Sequence, residues 1–222
     1  MKTRIALLAL SSALLLTACP GSGGTPGPDP LTQLYADPAS GLDSNPGTQA
    51  KPLKTLKEAL TRMGSGAVKT TVLLAGTYSE ASGETWAYTV PDGVTLKGNS
   101  AGVILQSSTK KAGFSLKGGT LSDLTLTGFD SALSASSGTQ TLTRLTFKGN
   151  QYDLSLNGNA ASSLQDSNSS GAYTSVQAAG LSTVSVSGGS YGGTSNALTL
   201  QQSATASFTN SDIGSGGFDA GG

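Results

Sequence analysis

From Val94 onward the chain alternates apolar and polar residues over short runs separated by Gly, Asn and Ser. Phe114 and Leu116, Leu124 and Leu126, Leu133 and Ala135, Leu145 and Phe147, and Leu154 and Leu156 form such pairs. Val176 and Ala178, Val184 and Val186, Leu198 and Leu200, and Ala206 and Phe208 continue the series. A period of two is the signature of a strand with one buried face. The pairs fall into two ladders. One runs Leu116, Ala135, Leu156, Ala178, Leu200, at spacings of 19, 21, 22 and 22. The other runs Leu126, Phe147, Asp166, Val186, Phe208, at spacings of 21, 19, 20 and 22. A repeat near 20 residues carrying short strands predicts a solenoid. Two residues beyond each member of the second ladder stand Gly128, Gly149, Asn168, Gly188 and Asn210. Gly and Asn most readily take positive φ, as a coil corner requires. Asp166 breaks its ladder. Either that coil is shifted so that Leu164 points inward, or the carboxylate lies outside, because an unpaired buried Asp is costly. The repeat is too long for a left-handed hexapeptide coil, and neither a GGxGxDxUx nor a leucine-rich consensus is present. The expected fold is all-β: a right-handed parallel β-helix with three short strands per coil, about six coils and roughly 30 Å long at about 4.8 Å per coil. The alternative is an antiparallel sandwich.

One segment departs from this pattern. In "PLKTLKEALTRM" (52–63), Leu53, Leu56, Leu60 and Met63 recur at helical spacing, with Lys54, Lys57, Glu58 and Arg62 mainly opposite. Pro52 suits a first helical turn and Gly64 an end. A lone helix of this length is marginal in water and must dock. The open first coil needs a cover, so the helix is expected to cap it. "TVLLAGTY" (71–78) then reads as the first buried strand, and "YTVPDGVTLKGN" (88–99) as strand, turn, strand.

The N-terminus carries an address. Lys2 and Arg4 precede an apolar run over 5–16, of secretory length and too short for a spanning helix. "LTAC" (16–19) resembles the lipobox of bacterial lipoproteins, in which cleavage precedes a Cys that is then lipidated. Cys19 is the sole Cys in the chain, so no disulfide competes for it. Two or three acyl chains anchor durably where one does not. "PGSGGTPGPDP" (20–30) has nothing to bury and reads as a tether spanning about 18 Å if flexible. The expected layout is a signal peptide over 1–18, a lipidated Cys and tether over 19–30, the cap and first coils over 31–98, and β-helix coils over 99–222. The expected location is the cell envelope, anchored outside the cytoplasm, with the choice of inner or outer membrane left open.

Composition narrows the chemistry. Among 222 residues there are 31 Gly and no His, and charged residues make up 12%. Without His, the commonest general base and transition-metal ligand are missing. Thirteen cationic and thirteen acidic side chains balance, and nothing points to the basic face that a nucleic-acid partner needs, so none is expected.

The segments "YADPASGLDSNPGTQAKPLKTLKEAL" and "LLAGTYSEASGETWAYTVPDGVTLKGN" resemble a bacterial domain-of-unknown-function family that begins pectate-lyase-like right-handed parallel β-helix proteins. The likeness rests on Tyr35, Asp37, Gly41, Asp43, Asn45, Pro46, Gly47, Thr48, Lys54, Thr55, Gly76, Thr77, Tyr78 and Gly98, among others, and is dense over 35–99. It implies the fold and an extracytoplasmic address, and no reaction. Polysaccharide lyases of this fold pair calcium-binding carboxylates with a Lys or Arg base. Asp130, Asp153 and Arg144 are the candidates for such a site, and would have to converge on one exposed face. Asp37, Asp43 and Asn45 are candidate calcium ligands, since hard cations take carboxylate and carbonyl oxygens. The competing reading makes them turn residues bonded to their own backbone. Phe129, Tyr152, Tyr173 and Tyr191 recur near the coil period. Tyr152, Tyr173 and Tyr191 are candidates for stacking on sugar rings. Trp86 and Tyr88 read as packing residues of the first coil.

The expected function is therefore a lipid-anchored, non-catalytic envelope β-helix that is structural or binds polysaccharide, with calcium as a candidate cofactor. The alternatives are a calcium-dependent polysaccharide lyase and an adhesion or assembly module. Because "DIGSGGFDAGG" (212–222) offers no second cap, self-association through the C-terminal end is also expected.

Overall fold

A computed structural model describes residues 31–214 and 216–221. The segments expected to be signal peptide (1–18), lipidated Cys19 and tether (to 30) lie outside the described residues. In chain order the strands are β1 (Leu34–Ala36), β2 (Thr70–Leu73), β3 (Gly76–Tyr78), β4 (Tyr88–Val90), β5 (Thr95–Gly98), β6 (Val103–Gln106) and β7 (Phe114–Leu116). Next come β8 (Gly119–Ser122), β9 (Thr125–Thr127), β10 (Ser131–Ala135), β11 (Thr139–Thr143), β12 (Thr146–Lys148), β13 (Tyr152–Leu156) and β14 (Ala161–Gln165). The last are β15 (Asn168–Ala178), β16 (Thr183–Ser187), β17 (Ser190–Gln201), β18 (Thr205–Thr209), β19 (Asp212–Ile213) and β20 (Phe218–Gly221). Helix α1 (Leu56–Ser65) lies between β1 and β2.

Every strand pairing is parallel and joins one coil to the next, giving a right-handed parallel β-helix of about seven turns. Face A stacks β1, β2, β5, β8, β11, β14, β16 and β18. Face B stacks β3, β6, β9, β12 and the first half of β15, with the first half of β17 and β19 beyond. Face C stacks β4, β7, β10, β13, the second halves of β15 and β17, and β20. In β15 and β17 the corner between faces B and C is spanned by one continuous strand, bulged in β15 between Ser169 and Thr174.

The first predicted ladder is the inner column of face C: Leu116, Ala135, Leu156, Ala178 and Leu200 pair in register rung to rung. The second needs correction, because it splices two faces. Leu126 and Phe147 belong to face B, where the next members are Ser169, Tyr191 and Ile213. Val186 and Phe208 belong to face A, in the column Leu96, Leu121, Leu142, Leu164, Val186, Phe208. Leu164 points inward, and Asp166 is exposed at a corner. The Gly/Asn series divides likewise. Gly128, Gly149 and Gly171, all at positive φ, turn from face B to face C. Asp123, Arg144, Asp166, Gly188 and Asn210, also at positive φ, turn from face A to face B, whereas Asn168 is ordinary strand.

The helix begins later than Pro52 suggests. Residues 52–55 run beside β1: Leu53 donates its N–H to Tyr35 O (2.9 Å) and accepts from Asp37 N–H (2.8 Å). Thr55 is the N-cap, its hydroxyl accepting from Glu58 N–H at 3.2 Å, and Gly64 lies inside the helix. Leu56, Ala59, Leu60 and Met63 are buried in the same core as Leu34, Ala36 and Leu73. Burying each Leu or Met contributes about 1.5–3 kcal/mol. Thr71, in the first full rung, donates to Met63 Sδ, and Lys69 Nζ donates to Met63 O near the helix end. The helix is the expected lid on the first rung. At the opposite end Phe218 is 62% exposed and packs edge-on against Phe208, with ring centroids 5.8 Å apart.

Candidate functional site

The front segment resolves into structural chemistry. Asp37 accepts from Ala39 and Ser40 N–H and from the Ser40 hydroxyl, closing a turn on itself. Partial burial opposes ionisation there, but these hydrogen bonds hold its carboxyl below the usual range. Asp43 accepts from Lys54 N–H, Thr55 N–H and the Thr55 hydroxyl, each at 2.9 Å, and so caps the helix entry. The Asn45 side-chain amide donates to Pro52 O at 2.9 Å. Arg62 reaches back from the helix to the carbonyls of Asn45 and Asp43, both at 2.7 Å. Gly41 is required because a Cβ there would sit 2.0 Å from Leu53 O. Asp37, Asp43 and Asn45 are thus engaged in separate turn and capping roles. Among the described residues no cluster of three or more His, Cys, Asp or Glu comes together.

Nor do the candidate catalytic residues meet. Arg144 is exposed and forms a bidentate pair with Asp123 across one rung, at 2.6 and 2.8 Å. That pairing lowers the Asp123 carboxyl and raises the Arg144 guanidinium, with Asp166 adding a smaller attraction from the next rung. Asp130 is exposed on the outer wall, while Asp153 is 1% exposed inside it. The three point apart because Asp153 follows the column Ala132, Asp153, Ser175, Ala197, all buried between in-register neighbours.

The tyrosines divide as well. Tyr191 is 1% exposed in the face B column, so it is a core residue and not a sugar platform. Phe129 is fully buried, edge-on to Trp86 at 5.0 Å, and Trp86 also packs on Tyr88 and Phe114. Tyr173 is 53% exposed and Tyr152 half-buried beside it, with centroids 6.4 Å apart and rings nearly perpendicular. Tyr173 lines a groove at the B-to-C corner together with Lys110, Gly149, Asn150, Gln151, Gly171 and Thr194. A second groove, lined by Ser169, Ser170, Ser190 and Gly193 among others, adjoins it and shares Gly171 and Thr194. By contrast, the concavity on face A is lined by Ala, Val, Ser and Thr without a titratable group.

Three polar groups were not singled out by the sequence pattern. Glu84, 3% exposed, accepts from Leu56 N–H (2.9 Å) and the Tyr88 hydroxyl (2.6 Å), tying the helix N-terminus to the first coil. Burial raises its carboxyl despite those bonds. Glu80 gathers the hydroxyls of Ser107, Ser108 and Thr109 and the Ser108 N–H, which outweigh slight desolvation and hold its pKa at about 2. Asn150 is buried at the corner, its Oδ1 accepting from Phe129 N–H at 2.9 Å. The coil period itself is the signal for Asp153: stepping by 21 or 22 residues places it among Ala132, Ser175 and Ala197, where a carboxylate is out of character.

Among solved structures, a rhamnogalacturonan lyase is similar at a TM-score of 0.57 with 14% identity, the match covering 86% of this chain and 62% of that one. The chain thus spans less than two thirds of that protein's length, and at this identity the likeness is one of fold. No curated protein matches the chain. A family model described as a protein of unknown function (DUF1565) matches residues 39–155, from the front turn through the helix and into β13, which is more than half of the sequence. The chain is therefore a member of the DUF1565 family, built as a helix-capped parallel β-helix.

Proposed function

We propose that this chain is a lipid-anchored envelope protein whose β-helix binds polysaccharide at the Tyr173 groove without turning it over. One observation carries the reading: an aromatic ring, half exposed and packed edge-on against Tyr152, lines a groove together with the exposed Gln151 amide, Thr194 hydroxyl and Lys110 ammonium. Ring faces pack on the C–H faces of sugars, while the exposed Gln151 and Thr194 suit their hydroxyls. The separation of Asp130, Asp153 and Arg144 supports binding over cleavage. The lipobox and the tether support the anchor and the envelope location.

A glycan array with and without calcium, read for retention and for release of unsaturated products, tests the binding. Retention without release, lost in Tyr173→Ala, is expected. Release of unsaturated products would establish the lyase reading instead. Replacing Cys19 by Ala is expected to move the protein from the membrane to the soluble fraction, and an unchanged membrane fraction would refute the anchor.

A further inference from the structure

The groove is held in shape from inside the wall. Asn150 serves both sides: it lines the groove, accepts from Phe129 N–H, and donates through Nδ2 to Leu126 O (3.1 Å) and to Asp153 Oδ1 (2.8 Å). Ser169 does the same for the adjoining groove, its hydroxyl donating to Asp153 Oδ2 and lying 2.7 Å from the Ser175 hydroxyl. Between Ser169 and Thr174 the register of β15 shifts twice. Gly171, at φ +71°, lies in that segment and lines both grooves. An irregular corner that lines both grooves is thus tied through side chains converging on one carboxyl.

We propose that Asp153 is a positioning residue for the Tyr173 groove and that its charge state switches the corner between two shapes. This inference takes the groove to be the binding site proposed above. Burial raises the Asp153 pKa to about 7, against the opposing pull of Ser169 and Asn150. The surrounding titratable groups do not neutralise it. Asp130 before β10, Lys148 of β12 and Tyr173 of β15 are exposed, and Tyr152 of β13 is half-buried. Lys110 lines the outer groove, and Tyr191 of β17 faces the core one rung beyond Ser169. As a neutral acid, Asp153 suits the interior and keeps the corner as described. As a carboxylate it has two side-chain donors, and an uncompensated interior charge favours opening to water. The groove is therefore in its closed form below neutral pH and loosens above it.

The test is a pH titration of the full chain, labelled with ¹⁵N and ¹³C, by NMR. The Asp153 carboxyl carbon, the Asn150 side-chain amide and the Gly171 and Tyr173 backbone amides are expected to shift together with one midpoint near pH 7. Asp153→Asn removes the shift at all three amides. Ser169→Ala removes a donor to the charged form and moves the midpoint upward, which keeps the test available should Asp153→Asn fail to fold. An Asp153 midpoint in the ordinary carboxylate range would overturn the proposal. So would amides that stay flat while Asp153 titrates, or that still titrate in Asp153→Asn. The readout uses no glycan. A silent array with intact titration refutes the binding reading, and retention with flat amides refutes the switch.

Discussion

The first rungs and the later ones are built on the same backbone with different interiors. Up to Phe147 the inside is mainly aliphatic and aromatic, with Tyr78, Trp86, Tyr88, Phe114 and Phe129 in the core and few buried polar groups, among them Thr71, Glu84, Ser107 and Gln140. From Asn150 onward the inside also carries Asp153, Ser167, Ser169, Thr174, Ser175, Ser182 and Thr199. No Lys or Arg occurs after Lys148. The front half is held by area removed from water and by helix capping. The rear half relies more on rung-to-rung backbone pairing and a hydrogen-bonded polar interior. Parallel rungs thus tolerate a change of interior chemistry, with most buried polar groups partnered and the Tyr191 hydroxyl an exception. The candidate groove lies where the two regimes meet.

Substitutions should separate the two halves, beginning with the front core. Phe129→Ala removes a fully buried ring and is expected to cost about 3–5 kcal/mol, measured by chemical denaturation. A loss below 1 kcal/mol would show that the front interior is not close-packed. The rear half is expected to show a pH signature. Asp153 has a folded pKa of about 7 against an ordinary 3.8. Between those values the folded state keeps a proton that the unfolded state has lost. Its stabilisation is therefore full below about pH 4 and declines as pH rises through 7, by roughly 4 kcal/mol at most. Asp153→Asn should flatten that decline without abolishing it, because Glu84 is raised in the same direction. A wild-type stability that climbs from pH 4 to 7 would contradict this account.

Smaller effects follow at the lid and the corners. Asp43→Ala strips acceptors from Lys54 and Thr55 N–H at the helix entry and should cost about 2 kcal/mol. Hydrogen exchange should localise the loss to α1 and the 41–55 turn. Arg144→Ala should leave Tm unchanged, since its pair with Asp123 is solvent-exposed. A clear drop would make the Asp123–Arg144–Asp166 corner a structural staple.

The legibility of the sequence followed the same divide. The face C column was readable because Leu116, Ala135, Leu156, Ala178 and Leu200 are all apolar. The face B column was not, because Ser169 replaces the apolar residue that should follow Phe147, and the apolar pattern then jumps to Val186 on face A. Corners were hidden in a related way: the A-to-B turns use Asp123, Arg144 and Asp166 at positive φ, none of them Gly or Asn, whereas Asn168, expected at a corner, is ordinary strand. The helix lid was legible from spacing. The capping role of Asp43 was not, because its partners lie 11 and 12 residues away. At the candidate site Tyr173 could be proposed from period alone, but Tyr191 shares that period and faces the core. Inward or outward orientation at a bulged corner depends on the local backbone and not on the repeat.

The central claim is that Tyr173 and its groove form a polysaccharide platform, and quantitative binding to glycans retained on the array tests it most directly. Tyr173→Ala is predicted to weaken binding tenfold or more, which corresponds to about 1.4 kcal/mol, with Tm unchanged. Equal affinity in wild type and Tyr173→Ala, both folded, would contradict it.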